Sequence, residues 1–286
     1  MMKHLTKSMG FKRVFVFFLF LFSFLLGLSN VQAEKRKFVV CLPLGEGSSA
    51  QATRHMEPFL RHLEKKAGWE SGSVEGKYIN SLSECLSYIE KTKPDFGVLS
   101  QGIYLQMYRK WRLGVIGRVD MPRGAGRRLY LVVEKGKYSS LSDLKGTVLK
   151  SNHVADSAFL NKVVFKGKID ATKHFKLSPT SSPLRGFKSV YRGRAGATLV
   201  NDDELKLMRK RKEGKKLKVL MSSMRFPGTP VVAFKKNAKS KDIRTLTKTL
   251  SGLCSGEGNS VCRNTMIRSF KPASNATYSK LRKLYR

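Results

Sequence analysis

Residues 37–69 read KFVVCLPLGEGSSAQATRHMEPFLRHLEKKAGW and contain the most informative pattern for the fold. It begins with a short apolar run, 37–43, that is typical of a buried strand. A turn rich in Gly and Ser follows. Apolar side chains then recur at helical spacing within residues 48–67: Met56, Phe59, Leu60 and Leu63. A strand, a glycine turn and a helix in this order indicate the first unit of a parallel α/β sheet.

The same alternation continues along the chain in two runs. The first run has two further strand patterns with a helical pattern between them, at 73–78, 81–91 and 96–100. A second run extends from Leu129 to about residue 211. The chain then closes with two strands and three helices, predicted at 218–221, 231–234, 240–253, 258–270 and 275–285. Strands that alternate with helices predict an α/β protein of two lobes, each a mostly parallel sheet flanked by helices.

Residues 1–33 have the pattern of a secretory signal peptide. Basic residues precede an apolar run at 14–28, and Val31-Gln32-Ala33 places small side chains where signal peptidase cuts. The run of about 15 residues is shorter than the roughly 20 that a membrane-spanning helix needs, although an uncleaved anchor is the alternative. We therefore expect cleavage after Ala33, a mature chain that begins at Glu34, and export from the cytoplasm.

The charge balance is strongly basic, with 56 Lys and Arg against 20 Asp and Glu and a formal net charge of +36. Such a balance often indicates nucleic acid binding. The export signal argues against that partner, and so does the scatter of the basic residues, which form a dense cluster only at 206–218. We expect a solvated basic surface that attracts small anions or an anionic surface polymer, and no nucleic acid partner.

The four cysteines are expected in an oxidising compartment, where they can pair. Cys254 and Cys262 flank a short polar loop that a disulfide could close, with free thiols as the alternative. Cys41 lies in an apolar strand and Cys85 on an apolar helix face, so we expect small buried side chains rather than a mutual bridge. No cysteine pair has the spacing of a zinc site and the histidines form no cluster, so neither a metal ion nor another cofactor is predicted.

Three loops that follow strands carry the candidate binding residues. The loop at 44–49 has glycines that let a ligand approach the backbone. The loop at 100–104 offers a hydroxyl, an amide and a phenol, and the loop at 151–157 leads into a helix of the second lobe. Because ligands bind beyond the carboxyl ends of the strands in such sheets, we expect these loops to line a cleft. The candidate ligand-binding residues are Ser48, Ser49, Ser100, Gln101, Gly102, Tyr104, Asn152 and Ser157.

Catalysis is not predicted. Asp156 near His153 resembles part of a catalytic triad, but no Gly-x-Ser-x-Gly segment frames either Ser151 or Ser157. None of the three loops combines an acid, a base and a nucleophile. The simpler interpretation is that Asp156 caps the helix that follows it.

Seven segments, in this order, make the chain similar to a known family: MEPFLRHLEKKAGW, KPDFGVLSQGIYLQ, LSDLKGTVL, GKIDATKHFKL, GFKSVYRGRAGATLV, LMSSMRFPGTPVVAF and YSKLRKLY. They are spread over nearly all of residues 37–286. The chain resembles the phosphate/phosphite/phosphonate-binding periplasmic proteins of ABC transporters. The resemblance implies a type 2 periplasmic-binding-protein-like fold, in which two lobes joined by a two-strand hinge close on an oxyanion. It maps the first lobe to 34–128 plus 223–286 and the second lobe to 129–222.

The resemblance also implies roles for single residues. Ser100, Tyr104 and Ser157 match family positions whose hydroxyls hold the ligand. The chain departs from the family at Asp156, whose carboxylate would repel an oxyanion, and at Gly196, where the family has an acidic residue. These departures leave the ligand open among phosphate, phosphite and phosphonates.

We therefore expect a periplasmic, non-enzymatic, monomeric binding protein that passes a small anionic ligand to an ABC transporter permease in the inner membrane. Three alternatives stay open. The first is a ligand-sensing module for a membrane receptor, and the second is a cationic surface-interaction protein whose cleft has decayed. An exported hydrolase is a third, and its activity would depend on His153.

Overall fold

The computed structural model describes residues 35–45, 48–121, 128–265 and 267–285. The predicted signal peptide and its cleavage site lie outside these ranges, as do Glu46 and Gly47 of the first glycine turn. Residues from Lys35 onward belong to one structural unit. None of the helices in the described ranges is long and apolar enough to cross a membrane.

Strand β1 (Arg36–Cys41) and helix α1 (Ser49–Ala67) confirm the opening prediction. The Ser48 hydroxyl accepts a hydrogen bond from a backbone N–H of the first helical turn, which satisfies one of the free donors there. Gly68 ends the helix at φ +65°, a left-handed conformation that glycine adopts without steric penalty. The helix buries its apolar face against the sheet through Met56, Phe59, Leu60 and Leu63.

Six strands form the first sheet: β1, β2 (Val74–Ile79), β3 (Phe96–Leu99), β4 (Leu113–Asp120), β10 (Thr229–Phe234) and β11 (Ser269–Lys271). Their order across the sheet is β11-β4-β10-β3-β1-β2. The helices from the same parts of the chain are α1, α2 (Leu82–Thr92), α3 (Gln101–Met107), α8 (Ser240–Leu250), α9 (Gly258–Asn264) and α10 (Ser279–Tyr285).

Five strands form the second sheet: β5 (Leu129–Glu134), β6 (Val148–Ser151), β7 (Lys176–Pro179), β8 (Ala197–Asn201) and β9 (Leu217–Ser222). Their order is β7-β6-β8-β5-β9. The helices between them are α4 (Ser157–Phe159), α5 (Ala171–His174), α6 (Pro183–Tyr191) and α7 (Asp202–Arg209). Helix α4 continues as a turn of π-helix, and short 3₁₀ segments lie at Ser142–Leu144, Lys212–Lys216 and Asn275–Tyr278.

Both sheets are mixed, so the prediction of mostly parallel sheets is wrong. Strand β10 inserts antiparallel between β3 and β4, and β11 is antiparallel to β4. In the second sheet β5 is antiparallel to both neighbours, β8 and β9. Strand β10 follows β9 of the second sheet through 223–228, so no helical crossover from a neighbouring strand of the first sheet fixes its direction as parallel. The lobe boundaries stay a prediction.

The helix predicted at 258–270 is wrong in its second half. Helix α9 ends at Asn264, and the chain then adds β11 to the edge of the first sheet, where Phe270 pairs with Val119 of β4. Strand β4 itself was not among the predicted strands. Short edge strands such as β11 are held by ladder hydrogen bonds to a distant neighbour, so local periodicity does not reveal them.

Two disulfides are present. Cys254 and Cys262 pair across their short loop, which confirms the predicted disulfide over the alternative of free thiols. Cys41 and Cys85 also pair, so the prediction of two unpaired buried side chains is wrong. Cys41 ends β1 and Cys85 lies on the inner face of α2, which places their Cα atoms 5.9 Å apart. That separation is typical of a disulfide, and it arises from helix packing rather than from sequence spacing.

Candidate functional site

A cavity of about 830 Å³ opens where loops of the two sheets face each other. Its walls come from β1 and the turn after it, from α1, and from the start of α3. The segments after β6 and α9 complete it. The polar lining residues are Gln51, His55, Tyr78, Ser100, Gln101, Asn152, His153, Asp156, Thr229, Arg263, Asn264 and Thr265. A volume in this range is typical of sites for small organic ligands.

The turn after β1 contributes backbone rather than the predicted serines. Gly45 lines the cavity, and a Cβ at this position would collide with the Tyr78 hydroxyl, so only glycine fits. The Ser48 side chain caps α1 and is not among the lining residues. Ser49 starts the helix, and its side chain lies outside the described structure. Further along α1, the lining includes Gln51 and His55.

The predicted loop at 100–104 is the start of a helix. The Ser100 hydroxyl caps α3 by accepting a hydrogen bond from the Ile103 N–H at 3.4 Å. The Gln101 amide donates to the Pro227 carbonyl on the segment that returns from the second sheet. Ser100, Gln101 and Gly102 line the cavity, so these three predicted residues do meet at the cleft.

Tyr104 lies elsewhere. Its side chain is fully buried, and its ring meets that of Tyr278 edge-on at 5.1 Å between centroids. Its hydroxyl accepts a hydrogen bond of 3.1 Å from the Arg282 guanidinium of α10, and burial raises the pKa of this phenol. Tyr104 is not among the residues that line the cavity, because its helix turns the ring toward the protein interior.

Asn152 and His153 line the cavity, and both side chains contact the buried carboxylate of Glu204. The Asn152 amide donates to Glu204 Oε1 at 3.0 Å, and His153 Nε2 lies 2.9 Å from Glu204 Oε2. Burial acts to raise the pKa of Glu204, but His153 and the hydrogen bonds from Asn201 and Asn152 lower it below its usual value. His153 therefore pairs with Glu204 of α7 and not with Asp156.

Asp156 carries the one unsatisfied carboxylate oxygen among the described lining residues. Its Oδ1 accepts a hydrogen bond from the Phe159 N–H at 2.9 Å, so it caps α4 as expected. Its Oδ2 is buried without a hydrogen-bond partner and packs against Gly102, where a Cβ would collide with it. Burial raises the pKa of this carboxyl. Ser157 follows at the helix start, and it is not a lining residue.

Much of the wall is apolar, and the sequence did not single out these residues. They come from the first sheet, from α1 and α4, and from connecting segments: Phe38, Val40, Leu42, Met56, Phe59, Val98, Phe159, Phe226, Ile267 and Phe270. In the sequence each has the spacing of an ordinary core side chain, so no local signal distinguishes a residue that borders a cavity. Arg263 is the only Lys or Arg that the described residues contribute to the lining.

The protein family is identified by a match to a family model. Residues 45–278 match the family described as "ABC transporter, phosphonate, periplasmic substrate-binding protein". The chain belongs to this family of periplasmic binding proteins. The match spans most of the chain and includes the lining residues from Gly45 onward, but not those of β1. No curated protein matches the sequence.

Solved structures of other binding proteins share the fold. A binding protein component of an ABC phosphonate transporter from Pseudomonas aeruginosa has a TM-score of 0.64 at 17% identity, with 88% of this chain and 85% of that chain covered. A Prochlorococcus marinus protein solved with methylphosphonate has 0.61 at 14% identity, with 87% and 97% covered. A Xanthomonas citri protein solved with ATP has 0.65 at 12% identity, with 88% and 96% covered. The type 2 periplasmic binding fold is thereby established.

Proposed function

We propose that this binding protein takes up a small ligand with a phosphorus oxyanion, such as phosphate, phosphite or a phosphonate, and delivers it to a membrane permease without chemical change. The observation that carries the proposal is the cavity lined by loops of both sheets, in a chain of this family. We also propose that the protein acts as a monomer. Ligand contacts made from both sheets at once would favour the closed form, which a permease could recognise.

The polar end of the site comprises the start of α3 and the loop after β6. Ser100, Gln101 and Gly102 face Asn152 and Asp156 there. Because Gly102 has no side chain, the Asp156 carboxylate can pack directly against the α3 backbone at this end. Ser48, Tyr104 and Ser157 belong to the sequence-based hypothesis but are not among the described lining residues, so the proposed site does not use them. Ser49 stays a prediction, because its side chain lies outside the described structure.

Asp156 sets the condition for binding. An ionised carboxylate beside an oxyanion is repulsive, and Asp156 Oδ2 has no hydrogen-bond partner among the described residues. Protonation would remove the charge and let this carboxyl donate a hydrogen bond to a ligand oxygen, and burial raises its pKa. We therefore expect oxyanion binding to accompany proton uptake by this carboxyl.

The test is a thermal-shift screen of the 34–286 chain at fixed salt. The ligands are phosphate, phosphite, methylphosphonate, aminoethylphosphonate, sulfate and a set of carboxylates. A ligand at 100 times its dissociation constant stabilises the folded state by about 2.7 kcal/mol, which raises the melting temperature by about 5–11 °C in a protein of this size. A selective rise with a phosphorus oxyanion is the expected result.

Substitutions at two glycines, Gly102 and Gly252, test whether the ligand binds at this end of the cavity. Gly102→Val places a side chain at the contact with Asp156 and should abolish the ligand-induced shift. Gly252→Ala is the control, because a Cβ at Gly252 meets open space. The proposal fails if none of the phosphorus oxyanions shifts the melting temperature, or if Gly102→Val responds to them as the control does.

A further inference from the structure

We propose that the natural ligand is amphiphilic, with a polar head at the loops and an apolar tail of several carbons inside the first sheet's half of the cavity. The inference deepens the proposed function, on which the identity of the head group rests. The apolar arm, as we call the part of the cavity that receives the tail, is lined by Phe38, Val40, Met56, Phe59, Val98 and Phe270.

The apolar arm lies between α1 and one face of the first sheet. Phe38 and Val40 alternate along β1 and so point to the same face, and Val98 of β3 is the direct neighbour of Val40. Met56 and Phe59 belong to the buried stripe of α1. The walls of the arm are therefore regular secondary structure, which gives it a fixed shape.

The lining side chains are buried and yet border unfilled space. Phe38 and Phe59 are 3% exposed and Phe270 is 5% exposed, as expected for a packed core. Each of these rings therefore presents only a small apolar area to the cavity, and Phe59 and Phe270 stack on each other with ring centroids 6.0 Å apart. An apolar occupant would cover that remaining area.

The dimensions exceed what a bare oxyanion needs. Along β1 the lining extends from Phe38 to Leu42, four residue steps or about 13 Å at the rise of a strand. The whole cavity measures about 830 Å³, whereas an apolar cavity of about 150 Å³ already holds a benzene molecule. A phosphate or methylphosphonate at the loops would leave the arm empty.

The charged residues that line the cavity also favour a ligand with an apolar tail. The chain has 56 Lys and Arg, but the described residues contribute only Arg263 to the cavity wall, and Arg263 is exposed. Asp156 adds a carboxylate at the polar end. Because the described lining residues offer one cation together with an acid, burial of apolar ligand surface is the larger source of affinity among them.

The test is a chain-length series on the complete mature protein. Dissociation constants are measured by titration calorimetry for methyl-, butyl-, hexyl- and octylphosphonate. Affinity should rise by about fourfold for each methylene that enters the arm. The same tails on a carboxylate head group form a second series, which separates the contribution of the tail from that of the head.

Two variants test whether the ligand tail binds in the apolar arm. Val40→Phe fills the arm, so the ratio of the methylphosphonate to the octylphosphonate dissociation constant should fall toward one. Val219→Phe is the control, since Val219 is partly buried in β9 of the second sheet and is not a lining residue. The same ratio in Val219→Phe should equal that of the natural chain.

The outcomes separate the two proposals. If methylphosphonate binds but longer tails give no gain, the apolar arm is refuted and the proposed function stands. If only the carboxylates bind, with the same rise along the series, the arm stands and the phosphorus head group is refuted. If the gain with tail length persists in Val40→Phe, the tail lies elsewhere and the inference is wrong. If no member of either series binds, both proposals are refuted.

Discussion

Removal of the Cys41–Cys85 disulfide should destabilise the protein more than removal of the Cys254–Cys262 disulfide. The perturbation is the double substitution Cys41→Ala and Cys85→Ala, with both cysteines of the second bridge replaced as the matched comparison. The first bridge joins the end of β1 to α2, directly before the turn that lines the cavity. It spans 44 residues of sequence, whereas the second spans 8.

The magnitude follows from the loop that each bridge closes in the unfolded chain. The chain-entropy relation gives about 4 kcal/mol for the separation of 44 and about 2.5 kcal/mol for the separation of 8. At about 2–4 °C for each kcal/mol, the melting temperature should fall by about 8–16 °C in the first case and about 5–10 °C in the second. Both Cys41 and Cys85 are fully buried, so part of the loss is also lost core contact.

The assay is calorimetric melting of the two double variants and the natural protein in their oxidised forms. Denaturant unfolding provides an independent free energy for each. An equal loss in both variants, or a larger loss for the Cys254–Cys262 variant, would refute the reasoning from loop length.

Two further substitutions test the site. Asp156→Asn keeps the helix cap and removes the charge, so it should strengthen oxyanion binding at neutral pH by about tenfold, or ~1.4 kcal/mol. In the natural protein, calorimetry should show affinity rising as pH falls through the raised pKa of Asp156. Stability should fall as pH rises through that window, because the folded state binds more protons there than the unfolded chain. A pH profile shared by Asp156→Asn would contradict this. Tyr104→Phe removes the hydrogen bond from Arg282 and should lower the free energy of unfolding by about 1 kcal/mol with ligand affinity unchanged. A loss of affinity in this variant would restore Tyr104 to the binding site.

The sequence predicted part of the cavity lining, because some of its features are local. Ser100, Gln101, Gly102 and Asn152 follow strands directly, and they do line one cavity. Tyr104 is only two residues further along, yet one helical turn directs its ring into the interior. The interpretation of 100–104 as a loop concealed this, since the direction of a side chain depends on whether the backbone is helical.

Features that depend on neighbouring residues could be predicted from the sequence alone. The alternation of apolar residues set the type of most elements, and Ser48 and Gly68 set the ends of α1. The pairing of Cys254 with Cys262 was foreseeable because a loop this short keeps its ends close. Such interactions form within a few residues, so their pattern is visible in the chain.

Features that join distant segments of the chain depend on tertiary contacts. It paired Cys41 with Cys85, brought Asp156 against Gly102, and placed Phe38 beside the same cavity as Phe270. It also inserted β10 between two strands and so made the first sheet mixed. These contacts depend on strand register and on how helices pack over the sheet. Neither can be predicted from the local spacing of residues.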